Sequence, residues 1–529
     1  MPTLFGYIPL ILGCLGILLS FILLTILVFR YNLLETIFKA PNAVYIKIAL
    51  LFALINTIAQ AFFFNERLVI FLATREYQDF PNIPTMGTSF FISGIASLAF
   101  FVFFYAFIDR FVPFLAAVIR ESDAMERMYF CCMGIIAAVA VFFIFGITEE
   151  FYLPKNIDGK LVRFDVVYIT DSGELVSSDV YANVVARENN DIRQSLFAVF
   201  AMPFAAFAKF ISLFLFFVPH SYVIVINIIQ VLLLLLCIVL IGRMLQLKST
   251  EKIFFFSIST VSFPVLLFSL AMEQYIFSLF WLILLLYSSL FQKTNNLDWL
   301  FVGAAGSLIT NAFFFPLALD SPTLIGKVKG VLNLVGKFLC LSLLFGRLPL
   351  LLDTLNGLFR LMRFTGIKIP ISERFFQFTE FVCSCFTIPS SCSELFECQL
   401  TSTVFMAYHQ QPVTSINYLG CAILLVALLG FALNHKEVFA RVCFSWVAFS
   451  FLILCVIGWG TAENGLVLYT LYFSWAYLAL IFLAIEKAFQ KWKPIRYTIY
   501  STAIVILAII NFAGIYDIIQ FGITYYPAR

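Results

Sequence analysis

The residues best placed to do chemistry are a few acids and one arginine that stand where apolar runs begin or end. Glu149 and Glu150 lie side by side in GITEEFYLP, with Tyr152 just beyond, at the end of one such run. A carboxylate held near a substrate hydroxyl can take its proton as a general base. The plainer role of such a pair is to solvate a helix end as it leaves lipid. Arg193 follows Asp191 in NDIRQSLF, where another apolar run starts. A guanidinium at headgroup level can hold a phosphate through two parallel hydrogen bonds, or it can snorkel or pair with Asp191. Glu273, in MEQY, stands between two apolar runs with almost no loop, so it faces either a cavity or water. The turn GTAENG, with Glu463, has a similar setting that ordinary glycine turn chemistry explains.

The elements that must position these residues follow from composition. The chain has 529 residues, of which 62% are hydrophobic and 12% charged. Soluble proteins are roughly 45–50% apolar and about 25% charged. These figures exclude a soluble globule, a disordered chain and a nucleic-acid binder, and they leave an integral membrane protein. A span needs about 20 apolar residues. The runs that approach this are 5–29, 43–64, 88–109, 128–147, 221–242, 253–271, 275–291, 298–318, 416–434, 439–458, 466–486 and 498–520. The first is expected to be an uncleaved span. The expected fold is therefore an all-α polytopic membrane protein of about twelve transmembrane helices. It carries a long external loop with a small β-hairpin, and interfacial helices.

Basic residues set the orientation. With both termini extracytoplasmic, the short inner loops hold Arg110, Arg120, Arg127, Arg243, Lys248, Lys252, Lys487, Lys493 and Arg496, among others. Segment 148–195 then lies outside, with nine acids against five bases. That assignment holds if the apolar run 196–218, interrupted by Pro203 and Lys209, lies along the outer interface instead of crossing. Residues 325–368 carry Lys327, Lys329, Lys337, Arg347, Arg360, Arg363 and Lys368, and read as amphipathic interfacial helices followed by an external loop to residue 415. A hairpin of two spans is the competing reading, and it requires Arg347 to be buried at depth. Segments 163–170 and 174–181 are strand-like around an Asp-Ser-Gly turn signal. The organisation is then 1–127, the first spans; 128–320, a membrane module with external loop 148–220; 321–415, an external and interfacial segment; and 416–529, four further spans.

Cys383, Cys385, Cys392 and Cys398 form the one cysteine cluster, and on an external loop they could make one or two disulfides. Their spacing is poor for zinc. No cofactor is expected; a divalent metal is conceivable but has no ligand motif to support it.

The order of these motifs resembles the GT-C superfamily of membrane glycosyltransferases. There an acidic pair opens the first large external loop, often with a Tyr soon after, and an Arg precedes the next helix. Carried over, the resemblance makes Glu149 or Glu150 the catalytic base and Arg193 the matching arginine. Glu273-Gln274-Tyr275 looks like a short outer turn of the same proteins. The pair here is Glu-Glu, not Asp-Glu; Ser195 stands where Pro is common; and the loop follows the fourth span, not the first. The resemblance covers roughly residues 128–320. It implies a polyprenyl-phosphate-linked sugar donor, a glycan or polymer acceptor and a membrane lipid environment, with Tyr152, Asp191, Arg193 and Glu273 as substrate-binding residues. A lipid or small-molecule transporter or flippase is the main alternative, and a polysaccharide polymerase or ligase of cell-envelope assembly is a nearer one.

Overall fold

The computed structural model describes residues 43–74, 85–148, 155–157, 160–162, 167–168, 175, 180–181, 192–292, 298–314, 323–345, 347, 365–389, 391–398, 401–408, 415–461 and 465–525. Their elements, in chain order, are α1 (Ala43–Thr74), α2 (Thr85–Arg120), α3 (Ala124–Ile147), β1 (Lys155–Ile157), β2 (Lys160–Val162), α4 (Phe197–Phe214), α5 (Ser221–Met244), α6 (Ser249–Val261), α7 (Phe263–Leu270), α8 (Gln274–Tyr287), α9 (Asp298–Ser307), α10 (Leu324–Leu344), α11 (Ile371–Ser384), β3 (Ser391–Cys398), β4 (Thr401–Tyr408), α12 (Ser415–Asn434), α13 (Val438–Ser450), α14 (Thr470–Ala488) and α15 (Lys493–Tyr525). The protein is predominantly helical. Among the described residues ten helices are long and apolar enough to cross a membrane, or eleven if the bent pair α6–α7 is one span.

Contacts divide the chain into two units. The first comprises residues 1–122, 180–203 and 296–356, and the second comprises the rest. In the first unit α1 and α2 form a hairpin closed by aromatic pairs, Phe52 with Phe104 and Phe62 with Phe90, at ring separations of 5.5 and 6.0 Å. Phe345, just past α10, packs on Phe100, Phe103 and Phe104. Trp299 inserts its ring against Phe107, Phe111 and Phe114.

In the second unit α5, α8 and α14 are enclosed, with about four-fifths or more of each span buried, whereas α3, α12 and α15 expose most of theirs. A helix that is apolar all round belongs in such a protein or lipid interior. Close approach is made possible by glycine. A Cβ at Gly430 of α12 would meet the Leu480 carbonyl oxygen of α14 at 2.0 Å, and one at Gly420 would meet the Thr379 carbonyl oxygen of α11 at 1.9 Å.

Several expectations change. The run 196–218 is a continuous helix, α4, that passes through Pro203 and Lys209 and meets the length and hydropathy of a span. Run 298–318 is not one span: α9 has ten residues, and a 3-10 helix follows at Ile309–Phe314. The Asn311 amide donates to the Ala304 carbonyl at 2.9 Å, satisfying a group freed where the helix stops. Arg347 is 3% exposed, as the two-span reading of 325–368 requires, while α10 is not among the described helices apolar enough to cross a membrane, as the interfacial reading has it. Residues 371–388, expected in an external loop, form α11 and a tip packed among the helices of the second unit. The described hairpin β1–β2 lies just before the expected strands 163–170 and 174–181, whose described positions, Val167, Tyr168, Leu175, Val180 and Tyr181, lie in no strand. Segment 5–29 lies outside the described residues.

The cysteine cluster also changes. Cys383 and Cys385 are free, buried thiols. Cys392 and Cys398 lie six residues apart on β3, about 20 Å at strand rise, far beyond disulfide reach.

Candidate functional site

Of the residues singled out above, Glu149, Glu150, Tyr152 and Asp191 lie outside the described residues. Arg193 is half-buried in a 3-10 turn, Ile192–Gln194, at the head of α4. It belongs to the first unit and Glu273 to the second. Gln194 and Ser195 beside Arg193 are buried, and the Leu196 amide donates to the Gly306 carbonyl at 3.0 Å.

Glu273 is 0% exposed. It caps α8, its carboxylate accepting from the Gln274 amide at 2.9 Å, while its carbonyl accepts from Gln230 Nε2 at 3.1 Å. Gln230 stands 13 positions before Arg243 on α5, about 20 Å along the helix axis. Against a hydrocarbon core about 30 Å thick, that separation and its full burial set Glu273 within the helices, not on an exposed turn. A carboxylate enclosed at such depth is costly, and in membrane proteins it marks function. Tyr275 extends the recess, its ring 5.6 Å from Tyr469 and 6.1 Å from Tyr472, and Trp459 Nε1 donates to the Tyr469 hydroxyl at 2.9 Å.

Two irregular backbone stretches meet near the same depth. The pair α6–α7 bends by 58° at Ser262, ahead of Pro264. The tip of α11 reaches this bend, where the Phe386 carbonyl accepts from the Phe263 amide at 3.1 Å. Asn511 of α15 ties both: its Nδ2 donates to the carbonyls of Val261 at 2.8 Å and Phe386 at 2.7 Å, and its Oδ1 accepts from the Ile388 amide at 2.9 Å. Non-helical backbone at membrane depth is tolerated where protein satisfies it, and one side chain satisfies three groups here. A small cavity adjoins the tie, lined by Ser259, Ser262, Ser474 and Cys385 together with apolar side chains.

The opposite end carries the charge. Glu126 receives Arg243 Nη2 at 2.7 Å and Lys252 Nζ at 2.6 Å, and Asp123 receives Lys252 Nζ at 2.6 Å. Asp123 and Glu126 also close a capping box on α3. Arg496 joins Glu251, at 2.8 Å, to Glu486, which accepts from the Tyr500 hydroxyl at 2.9 Å. Burial works to raise the Asp123 carboxyl, but the Lys252 ammonium and the Glu126 and Met125 amides outweigh it and hold it below the ordinary carboxylate value.

No family model, curated protein or solved structure matches the chain. Among the described residues no three His, Cys, Asp or Glu side chains converge as metal ligands. Sequence reasoning missed Asn511 and the acids Asp123, Glu126, Glu251 and Glu486. The one available signal was that these acids alternate with bases in the short loops counted as purely positive.

Proposed function

We propose that this multi-pass membrane protein is an extracytoplasmic glycosyltransferase with a polyprenyl-phosphate-linked sugar as donor. The observation that carries the reading is the enclosed carboxylate of Glu273, recessed beside Gln230 and Tyr275 about 20 Å from the charged end. In this reading the charged end faces the cytoplasm, and Glu273 lies toward the outer side. Glu149 or Glu150 removes the acceptor hydroxyl proton, and the acceptor oxygen bonds to the anomeric carbon from the face opposite the donor oxygen. The bond from that carbon to the phosphate breaks, and polyprenyl phosphate leaves as the anion. Glu273 holds sugar hydroxyls, accepting hydrogen bonds that fix the ring.

Single replacements Glu149→Gln, Glu150→Gln and Glu273→Gln test this by outer glycan and by accumulated lipid-linked sugar. Loss of glycan with donor accumulation is expected for Glu273→Gln and for one of the pair, a rate loss of about 10²–10⁴-fold where the base is removed. Unchanged glycan in all three, at normal expression, overturns the assignment. A transporter of a lipid or small molecule is the second reading, favoured by the bent helix pair and the inserted α11, since discontinuous helices line binding sites in carriers. Substrate uptake into vesicles that depends on an ion gradient, with glycan unaffected, selects it.

A further inference from the structure

The segment 371–388 is held unevenly along its length. Its helical body is fixed to α12: Asn417 Nδ2 donates to the Phe376 carbonyl at 2.9 Å and to Thr379 Oγ1 at 3.0 Å, and Gly420 lets the two backbones touch. Its tip turns back on the end of α11 through the Cys385, Phe386 and Thr387 amides, and its hydrogen bonds to other elements are those with Asn511, the Phe263 amide and, through Cys385 Sγ, the Thr470 carbonyl. Cys385 and Phe386 of that tip border the cavity, so there is room beside the tip. Gly514, one turn beyond Asn511 on α15, receives Ile388: a Cβ there would stand 2.1 Å from Ile388 Cδ1. The helix that the tip holds, α7, is an eight-residue lever with Phe263 at its start and Glu273 three residues past its end.

We propose that residues 385–388 form a gate, latched closed by Asn511, whose release opens the cavity at the α6–α7 bend and shifts α7 together with Glu273. Closed, the gate satisfies the backbone of the bend. Open, it frees the Val261 and Phe386 carbonyls and the Ile388 amide to meet water or a ligand. The device is read from packing alone and does not use the glycosyltransferase reading.

Native thiols report on it. Cys385 and Cys443 are both 0% exposed, but only Cys385 lies on the gate. Purified full-length protein is treated with N-ethylmaleimide, and each cysteine is followed by peptide mass spectrometry. In the wild-type protein Cys385 is expected to react about tenfold or more faster than Cys443, because a gate opening needs only a few hydrogen bonds to break. Asn511→Ala removes the latch and Gly514→Ala displaces Ile388. Each is expected to speed Cys385 by a further tenfold or so, about what one net hydrogen bond contributes, while Cys443 stays slow. Equal rates at the two thiols in wild type overturn the gate, as does a parallel rise at both thiols in the variants, which would mean general loosening. Unchanged Cys385 reactivity in variants that remain folded overturns it as well.

Discussion

Glu126 serves both a helix cap and an ion-pair network. Its carboxylate accepts from the Asp123 amide at the start of α3, grips Arg243 through Nε and Nη2, and receives Lys252. The side chain is 2% exposed, so removing its charge takes the carboxylate from Arg243 and leaves Lys252 with Asp123 alone. Glu126→Gln is expected to cost roughly 3–5 kcal/mol, as breaking a buried pair does, seen as a lower thermal transition in detergent. Asp123 gives a pH signature. Its folded pKa is depressed, so its contribution is complete above the unfolded value, about 3.9, and is lost as pH falls through the lower folded value. The wild-type transition is thus expected to fall with acidification below about pH 4 relative to Asp123→Asn. A constant difference between them across that range would contradict the linkage. At this scale the sequence was legible where a single residue type in a single setting suffices, as with the recessed Glu273. It was opaque for Asn511, whose three partners come from stretches 123 or more residues away.

Helices meet where side chains are absent. Gly430→Ala and Gly420→Ala each drive a methyl into a neighbouring carbonyl oxygen. Overpacking costs about 1–3 kcal/mol or more, and both variants are expected to unfold at lower temperature. Gly336 of α10 has nothing within 4 Å of a built Cβ, so Gly336→Ala is expected to be neutral or mildly stabilising. Thermal scans of the three in one detergent check the contrast. Apolar runs marked the spans α1, α2, α3, α5, α8, α12, α13, α14 and α15 at nearly the right places, because length and hydropathy alone define a span. The run 196–218, read as an interfacial helix, is the helix α4, apolar enough for a span, with Lys209 5.1 Å over the Tyr222 ring, a cation–π contact. Apolar runs misjudged 298–318, where hydropathy continues but Asn311 turns back to close α9. The buried helix α11 was missed because its charges, Glu373, Arg374 and Glu380, resemble those of a loop. Arg374 reaches the Val456 carbonyl, and Glu380 is 2% exposed.

In the second unit, ion-paired charge gathers at one end. Asp123, Glu126, Arg243, Glu251, Lys252, Glu486 and Arg496 share one end of the second unit, joined by ion pairs. If basic excess sets orientation, that end is cytoplasmic. In sealed right-side-out vesicles Lys248→Cys is expected to resist a membrane-impermeant thiol reagent until the vesicles are opened. Immediate labelling would reverse the assignment, and with it the outer placement proposed for Glu273. Composition fixed the class of protein, since 12% charge in 529 residues leaves little to cover a soluble surface. It could not fix the crossing count, because α4, α10 and α11 differ in how their few charges are satisfied by neighbours.

The tie at Asn511 has a consequence for biosynthesis. The tip of α11 leaves the ribosome 123 residues before the side chain that completes its hydrogen bonds. At ordinary synthesis rates that interval is on the order of ten seconds. During it the Phe386 carbonyl has the Phe263 amide, but the Ile388 amide would lack its partner, at a cost of several kcal/mol in lipid. Late docking of 371–388, after α15 has entered, would spare the Ile388 amide that interval in lipid.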